Sequence, residues 1–233
     1  MSVFKFKQID VDQAGCAMKI NTDGVLIAAI ASHCSPKNIL DIGTGTGVIA
    51  LMLAQRYAQA NIEAVEIDQQ AAETAGKNFS ASIFKNRLSI KNISIEDYYT
   101  DQKFDLIVSN PPFFVNDLKN EEVRKGIARH ANANFFELLI DKSNQLLNEG
   151  GEIWLILPVK QANEVSGLAT KYDMAAIKRV NIHSDESKPT FRHIICLSKT
   201  KREISESDLY IYASQDNHTS DYKALLKDFF LAF

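Results

Sequence analysis

A glycine-rich turn between two apolar runs does most to limit the folds open to this chain. The segment Ile39–Ile49 reads ILDIGTGTGVI, with glycines at positions 43, 45 and 47 between a predicted strand and a predicted helix. Glycine permits a tight turn and lets a ligand approach the backbone, and the N-terminus of the following helix offers unpaired N–H donors. The pattern indicates a nucleotide-type site at the end of a strand.

The rest of the chain repeats this alternation of short apolar runs and helical segments, which is typical of an α/β protein with a parallel sheet. Seven strands are predicted, at Asn38–Ile42, Ile62–Ile67, Leu88–Ile90, Phe104–Ser109, Glu152–Leu157, Ala175–Ile182 and Arg192–Ser198. Helices are predicted at Thr46–Gln59, Gln69–Phe84, Asn134–Leu147 and Lys160–Lys171. A further helix follows Asn21 or Thr22 as its cap, and the terminal YKALLKDFFLAF has the spacing of an amphipathic helix.

Composition bounds the class of protein. The 233 residues, 45% hydrophobic and 24% charged, are sufficient for one substantial core. We expect one domain over residues 1–233, with an N-terminal extension of about residues 1–34 packed onto the catalytic core. No apolar run reaches the roughly 20 residues of a membrane span and no signal peptide is evident, so a cytoplasmic protein is expected. The spacing of Cys16, Cys34 and Cys196 predicts neither a metal site nor a disulfide framework.

The acids around the glycine loop distinguish between classes of nucleotide. A dinucleotide site favours G-x-G-x-x-G, but position 48 is Val48, so the third glycine comes one residue early. Asp41 precedes the loop, where it disfavours a pyrophosphate and favours a cationic ligand such as S-adenosylmethionine. Glu66 ends the second strand, where a carboxylate can accept hydrogen bonds from ribose hydroxyls. The predicted cofactor-binding residues here are Asp41, Gly43, Gly45, Gly47 and Glu66, together with Asn110 after the fourth strand.

A third acid follows the third strand. Asp97, in ISIEDYY, could accept a hydrogen bond from an adenine amino group, and Glu96 competes for that role. Such a residue more often serves to cap a turn or a helix with its carboxylate.

Taken together, these residues resemble a known family. D-x-G-x-G-x-G, the strand-end acid, the E-D pair and N-P-P-F are similar to the class I S-adenosylmethionine-dependent methyltransferases. The resemblance implies a Rossmann-like α/β sheet of seven strands in the order 3-2-1-4-5-7-6, with strand 7 antiparallel and helices on both faces. It also implies S-adenosyl-L-methionine as cofactor and S-adenosyl-L-homocysteine as product.

The segment SNPPFFVN, from Ser109 to Asn116, follows the predicted fourth strand. In the family that the chain resembles, such a segment marks enzymes that methylate a nitrogen conjugated to a π-system. Because the lone pair of that nitrogen is delocalised, the enzyme must hold it in line and stabilise the developing charge. Asn110 and the carbonyl of Pro111 can accept hydrogen bonds from the amine, Pro111 and Pro112 fix φ at about −65°, and Phe113 can stack on the target ring. A rigid turn whose phenylalanines fill the core is the alternative.

The flanking segments narrow the resemblance. MKINTDGVLIAA at Met18–Ala29, the doubled phenylalanine, the RH at Arg129 and His130, and the C-terminal segment resemble the tRNA(Val) adenine-N6 methyltransferases. That family modifies the adenine just 3′ of the anticodon. The resemblance implies tRNA as the partner, and it places Thr22 and Asp23 near the methionine end of the cofactor. We expect a monomer. An ordinary helix N-cap explains those two residues equally well.

No separate RNA-binding domain is predicted, so the catalytic domain itself would contact RNA. The basic candidates are Lys5, Lys7, Lys119, Arg124, Lys125, Arg129 and His130, together with the stretch from Lys178 to Arg202, whose seven basic and two acidic residues give a balance of +5. Only convergence near the NPPF segment would make them an RNA footprint. The predicted substrate contacts are Phe113, Phe114, Arg129, His130 and Arg192. A core contact remains the alternative for Phe114, and a structural role remains the alternative for His130.

Two rival functions stay open on the sequence. Another N-methyltransferase of the NPP type would act on a protein glutamine, a ribosomal RNA guanine or a DNA adenine. A cofactor-binding RNA-interaction protein without catalysis is the second rival, although an intact NPPF segment argues against it.

Overall fold

A computed structural model describes residues 3–16, 18–112 and 123–233, and of residues 123–133 it describes the backbone alone. The strands are β1 (Val3–Lys5), β2 (Asp10–Asp12), β3 (Asn38–Ile42), β4 (Asn61–Glu66), β5 (Leu88–Asn92), β6 (Phe104–Ser109), β7 (Leu147–Pro158), β8 (Ala175–His183), β9 (Arg192–Ser198), β10 (Ser205–Tyr210), β11 (Tyr212–Ser214) and β12 (Asn217–His218). The helices are α1 (Thr22–Ile30), α2 (Val48–Arg56), α3 (Gln69–Ala81), α4 (Val123–Leu146), α5 (Val159–Ala169) and α6 (Ser220–Leu226).

The central sheet has the order β5-β4-β3-β6-β7-β9-β8-β10. Strand β9 runs antiparallel to both of its neighbours, whereas the other pairs within this sheet of the described chain are parallel. The predicted order 3-2-1-4-5-7-6 and the antiparallel seventh strand are confirmed.

The predicted count of seven strands is wrong by one, because β10 adds an eighth strand beside β8. Its sequence, SESDLY, places Glu206 and Asp208 on the outer edge of the sheet and buries little apart from Leu209. Charged residues are typical of an edge strand, where they discourage pairing with another chain. The apolar signal used to find the other strands is therefore missing here.

Helices cover both faces of the sheet, and β7 shows how the sequence builds the two layers. Trp154 and Ile156 belong to one buried cluster, which also receives α1, α2, α3 and the C-terminal segment. Ile153 and Leu155 belong to the other cluster, beneath α4 and α5. Because successive side chains of a strand point to opposite faces, a continuous apolar run is required in a strand covered on both sides.

Helix boundaries differ from the predicted ones at several ends. Helix α4 begins at Val123, eleven residues before the predicted start at Asn134, and α6 ends at Leu226, before the last phenylalanines. Asn21, rather than Thr22, caps α1, because its side chain accepts a hydrogen bond from the backbone of Gly24.

Both chain ends pack on the same layer as α1 to α3. Asn78 of α3 exchanges hydrogen bonds with the backbone of Asp12 in β2, at 2.9 Å each way. Lys7 donates from its backbone to the carbonyl of Phe229 at 2.8 Å, and its ammonium donates to the carbonyl of Phe233 at 2.7 Å. The N-terminal segment is thus held by α3 on one side and by the C-terminal segment on the other.

Candidate active site

Three strand ends bring the predicted site residues together. Ile42, the last residue of β3, pairs with Val65 of β4 and with Ser109 of β6. Because these strands are parallel, their carboxyl ends meet at one edge of the sheet, where ligands of open α/β sheets bind. Glu66 and Asn110 therefore flank the glycine loop.

The glycine loop owes its shape to residues with positive φ. Gly43, Gly45 and Gly47 have φ values of 72°, 56° and 84°, in the left-handed region that favours glycine. A Cβ atom at Gly43 or Gly45 would meet nothing within 4 Å, because both residues face open space. A Cβ at Gly47 would lie 2.5 Å from Cε1 of the buried Phe79. The first two glycines therefore leave room for a ligand, while the third leaves room for the buried Phe79 side chain.

Asp41 lies beneath the loop and is fully buried. Its Oδ2 accepts hydrogen bonds from the Thr44 hydroxyl at 2.5 Å and from the Ala50 amide at 3.2 Å. Burial raises the pKa of Asp41 to about 7, although these two hydrogen bonds oppose the shift. Its Oδ1 is buried without a hydrogen-bond partner among the described residues. Asp41 lines neither cavity at the site and shapes the loop from below.

Two adjoining cavities occupy this edge of the sheet. The larger, of about 290 Å³, is bounded by the glycine loop, Glu66, the segment after β5 and Asn110 to Pro112. The smaller, of about 50 Å³, lies between the glycine loop and the start of α1. The residues common to both are Met18, Gly43, Gly45 and Asn110. Asn110 is therefore at the junction of the two cavities.

Rigid neighbours hold Asn110 in place. The preceding Ser109 is buried, and its hydroxyl donates to the carbonyl of Ile42 at 2.7 Å, which ties β6 to β3. On the other side, a Cβ built at Gly24 would lie 3.8 Å from Nδ2 of Asn110. The start of α1 thus forms the wall against which the Asn110 amide stands.

Two further acids predicted to bind the cofactor, Glu66 and Asp97, differ in their placement. Glu66 lines the larger cavity, and its carboxylate accepts hydrogen bonds from the amides of Gly45 and Asp68 at 2.9 Å each. Asp97 does not line the cavity, and its carboxylate accepts a hydrogen bond from the hydroxyl of Ser94 at 2.8 Å. Ser94 itself lines the cavity, so Asp97 is next to the site without facing it.

Thr22 and Asp23 also line neither cavity, whereas their neighbours Asn21 and Gly24 line the smaller one. Asp23 instead forms an ion pair with Arg192, with 2.8 Å between Oδ2 and Nε. Two residues predicted for different roles, one for cofactor and one for substrate, are therefore in direct contact.

The basic stretch from Lys178 to Arg202 does not form one surface. Arg192 begins β9 near the edge that carries Asn110, because it pairs with Pro158 at the carboxyl end of β7. Lys199, Lys201 and Arg202 follow the other end of β9, about 20 Å away at roughly 3.3 Å per residue. The condition for an RNA footprint, convergence near the NPPF segment, is therefore not met by the stretch as a whole, and only its part near Arg192 lies at the relevant edge.

Other predicted RNA contacts vary in what the structure says of them. Lys7 is engaged by the C-terminal carbonyls, while Lys5 is exposed in β1. Phe113, Phe114 and Lys119 lie outside the described residues, as do the side chains of Arg124, Lys125, Arg129 and His130. Those predictions stay predictions.

The apolar walls of the larger cavity were not predicted from the sequence. Ile67, which follows Glu66, is 73% exposed, and Ile93 and Ile95 follow the end of β5. Apolar residues directly after strand ends, beside a strand-end acid, were the available signal. This cavity is also lined by Cys16, Met18 and Phe135, which no local sequence pattern predicts.

Comparison with known proteins decides the family. A family model described as the methyltransferase small domain matches residues 21–179. A tRNA1(Val) (adenine(37)-N6)-methyltransferase of Pedobacter heparinus is 53% identical over 232 residues, covering 100% of this chain and 99% of the relative. The chain belongs to the tRNA1(Val) (adenine(37)-N6)-methyltransferase family. Members from Flavobacterium psychrophilum and Trichodesmium erythraeum are each 37% identical over at least 98% of either chain. The predicted family is confirmed.

Solved structures of other methyltransferases share the fold of this family member. A predicted O-methyltransferase from Agrobacterium tumefaciens has a TM-score of 0.72 at 18% identity, covering 89% of this chain and 96% of its own. A ribosomal protein L11 methylase from Lactobacillus delbrueckii has a TM-score of 0.60 at 16% identity, covering 82% and 84%. At these identities the likeness shows the α/β methyltransferase fold, and that fold, with the family, implies use of S-adenosylmethionine.

Two further features of the described residues, 3–16, 18–112 and 123–233, bear on the kind of site. No helix among them is long and apolar enough to span a membrane. No group of three or more histidine, cysteine, aspartate or glutamate side chains among them is arranged to hold a metal ion.

Proposed function

We propose that this protein transfers a methyl group from S-adenosylmethionine to the exocyclic N6 of the adenine just 3′ of the anticodon in tRNA(Val). The observation that carries the proposal is the position of Asn110, at the junction of a nucleoside-sized cavity and a smaller cavity. The name shared by the full-length relatives supports the choice of substrate. We further propose that the chain acts as a monomer and as one domain, with the N-terminal segment part of the catalytic core.

The residues around the larger cavity fit the nucleoside part of the cofactor. The Glu66 carboxylate suits the ribose hydroxyls, and the flanking Ile67 and Ile95 suit the faces of an adenine ring. Ser94, bonded to Asp97, offers a polar group at the same wall. The open space over Gly43 and Gly45 allows close approach to the loop backbone.

The smaller cavity fits the methionine part. Its wall combines polar residues, among them Asn21 and Thr44, with the apolar side chains of Met18, Ile20, Val48 and Ile49. Asp41 lies below that loop, and its buried Oδ1 has no hydrogen-bond partner among the described residues, so this carboxylate keeps acceptor capacity beneath the loop. When bound, the cofactor supplies an electrophilic methyl group.

The protein's part in the chemistry is to hold the amine. An adenine amino group is a poor nucleophile because its lone pair is delocalised into the ring. The carbonyl of the Asn110 side chain and the backbone carbonyl of Pro111 can each accept a hydrogen bond from that amine, which favours pyramidal nitrogen and stabilises the positive charge that develops on it. Both acceptors follow directly from β6, whose end is fixed to β3 through Ser109.

The catalytic part of the proposal is tested with Asn110→Ala. We expect kcat on unmodified tRNA to fall by about 100-fold or more, the usual loss when one preorganised hydrogen-bonding group at a reaction centre is removed. Cofactor affinity, measured by calorimetry, should fall far less. Asn61→Ala is the matched control, since Asn61 is an exposed asparagine at the other end of the sheet. An Asn110→Ala enzyme with wild-type kcat would contradict the assignment.

The substrate part is tested by nucleoside mass spectrometry of tRNA(Val) from a strain that lacks the protein. N6-methyladenosine next to the anticodon should be absent and should return when the gene is restored. Unchanged N6-methyladenosine, or transfer by the purified enzyme to a protein glutamine and not to tRNA, would contradict the proposed substrate.

A further inference from the structure

The edge of the sheet that carries Asn110 continues past β7 into a surface that is aromatic as well as basic. Arg192 pairs with Pro158 of β7 and with Ile182 of β8, so the start of β9 lies at this edge. Phe191, just before β9, is 36% exposed. The guanidinium carbon of Arg192 lies 5.5 Å from the centroid of the Phe191 ring. An aromatic ring and a cation in this arrangement attract each other and form one unit.

An ion pair connects this unit to the catalytic wall. Arg192 Nε donates to Asp23 Oδ2 at 2.8 Å, and both side chains are largely removed from solvent. Asp23 precedes Gly24, whose backbone stands against Asn110. The Phe191 and Arg192 pair is therefore next to the start of α1, at the edge of the sheet that carries Asn110.

The loop before Phe191 is held in one conformation by several contacts. The His183 ring stacks on Tyr210 with 4.7 Å between centroids. Its Nδ1 lies 3.1 Å from the carbonyl of Lys188, and its Nε2 lies 3.1 Å from the hydroxyl of Thr190. The amide of Phe191 donates to the carbonyl of Ile182 at 3.0 Å. The ring is thus presented by an ordered loop, which lowers the entropy lost on binding.

One exposed phenylalanine is ordinary on a protein surface. This one differs because an anchored guanidinium lies beside its ring, at the edge of the sheet that carries Asn110. Unstacked bases of single-stranded RNA are bound by stacking on aromatic rings and on guanidinium planes. We propose that Phe191 and Arg192 form a stacking platform for a nucleobase that neighbours the target adenine in the RNA loop. This inference rests on the proposed function and names the part of the protein that would position its substrate.

The test is a comparison of steady-state constants for unmodified tRNA. Phe191→Ala should raise KM for tRNA by roughly 5- to 150-fold, as expected for loss of one stacked base, with kcat little changed. Cofactor affinity should be unchanged, because Phe191 lines neither cavity. Phe191→Trp should keep a low KM. Phe191→Leu should behave like Phe191→Ala, because it keeps apolar volume without a π-face.

Tyr99→Ala is the matched control. Tyr99 is an exposed aromatic residue with the ammonium of Lys142 3.9 Å from its ring centroid, but it lies in the loop that leads to the amino end of β6. We expect the KM of the Tyr99→Ala enzyme for tRNA to equal that of the wild type. A Tyr99→Ala enzyme impaired as much as Phe191→Ala would overturn the platform, since the effect would not depend on position.

A second arm identifies the stacked base. Abasic nucleotides are placed one at a time beside the target adenine, and at one position the KM values of wild type and Phe191→Ala should become equal. If the KM values of the wild type and Phe191→Ala differ at every abasic position, or if Phe191→Leu keeps the wild-type KM, the proposal of a stacking platform is overturned. The proposed methylation of tRNA is not affected by either result. A wild-type enzyme that methylates no tRNA would overturn the proposed function, and the platform with it.

Discussion

Three glycines of a single loop meet different physical requirements, and substitution separates them. At Gly47 an alanine would combine a left-handed backbone, φ 84°, with a Cβ placed 2.5 Å from the buried Phe79 ring. A left-handed residue other than glycine costs roughly 1–2 kcal/mol, before any displacement of Phe79. We expect Gly47→Ala to lower the free energy of unfolding by about 2–4 kcal/mol, measured by urea denaturation.

Gly45→Ala is the informative comparison. Its backbone is also left-handed, but a Cβ there meets nothing within 4 Å of the protein and would point into the space proposed for the cofactor. We therefore expect a smaller loss of stability, about 1–2 kcal/mol, and the larger loss of cofactor affinity of the two variants. Equal stability losses in the two variants would contradict the assignment of Gly47 to packing.

Asp41 should give the protein a pH-dependent stability. Burial raises its pKa in the folded protein to about 7, against an ordinary value of 3.8. The folded state therefore holds the proton more tightly than the unfolded chain does. Stability from this group is fully present below about pH 4 and is lost as the pH rises through about 7.

We expect Asp41→Asn to differ from the wild type in how its unfolding free energy depends on pH across this range. The unfolding free energy of the variant minus that of the wild type should increase between about pH 4 and 7, with a slope of at most about 1.4 kcal/mol per pH unit. Above that range the difference should be constant. Other titrating groups are common to both proteins and cancel, so a difference that does not vary with pH would contradict the raised pKa.

At the scale of elements, one helix fixes the N-terminal segment and the glycine loop together. Asn78 of α3 donates to the carbonyls of Asp12 and Thr46 at 2.9 and 2.8 Å and accepts from the Asp12 amide. Asn78→Ala would leave these backbone groups without partners in a buried setting. We expect a loss of about 1–3 kcal/mol in urea denaturation and faster proteolysis within residues 3–16. Ser80→Ala, on the exposed side of the same helix, should change neither.

Elements were predictable where burial leaves a strong pattern. Strands such as β3 and β6 are apolar runs with both faces covered, and their order followed from the family resemblance. Strand β10 was missed because an edge strand with one exposed face carries charges in place of that pattern. The early start of α4 was missed because its first residues lack apolar spacing.

Residues of the site were predictable to the extent that their role is local. A glycine in a turn and an acid at a strand end can be recognised from a short stretch of sequence. Gly43, Gly45 and Glu66, which were predicted in this way, line the larger cavity. The contact of Asp23 with Arg192 joins positions 169 residues apart, which no local pattern encodes. The part that Asn78 plays between β2 and the loop is equally a product of tertiary packing.

At the scale of the whole molecule, the two chain ends share the core that lies under the proposed cofactor site. Phe229 is 3% exposed and belongs to the same buried cluster as Trp154, the one tryptophan in the sequence. Its carbonyl also accepts the backbone hydrogen bond from Lys7. If the chain is one cooperative domain, a substitution that destabilises the packing of Phe229 must also destabilise the centre of the sheet.

We therefore expect Phe229→Ala to lower the unfolding free energy by about 3–5 kcal/mol, the usual cost of truncating a buried phenylalanine. The transitions followed by Trp154 fluorescence and by far-ultraviolet circular dichroism should shift together. Leu231→Ala, at a residue 64% exposed, should stay within about 0.5 kcal/mol of the wild type. A Trp154 transition that does not move while proteases release the chain ends would mean that the ends form a separate unit, because only an independent segment can unfold without disturbing the sheet.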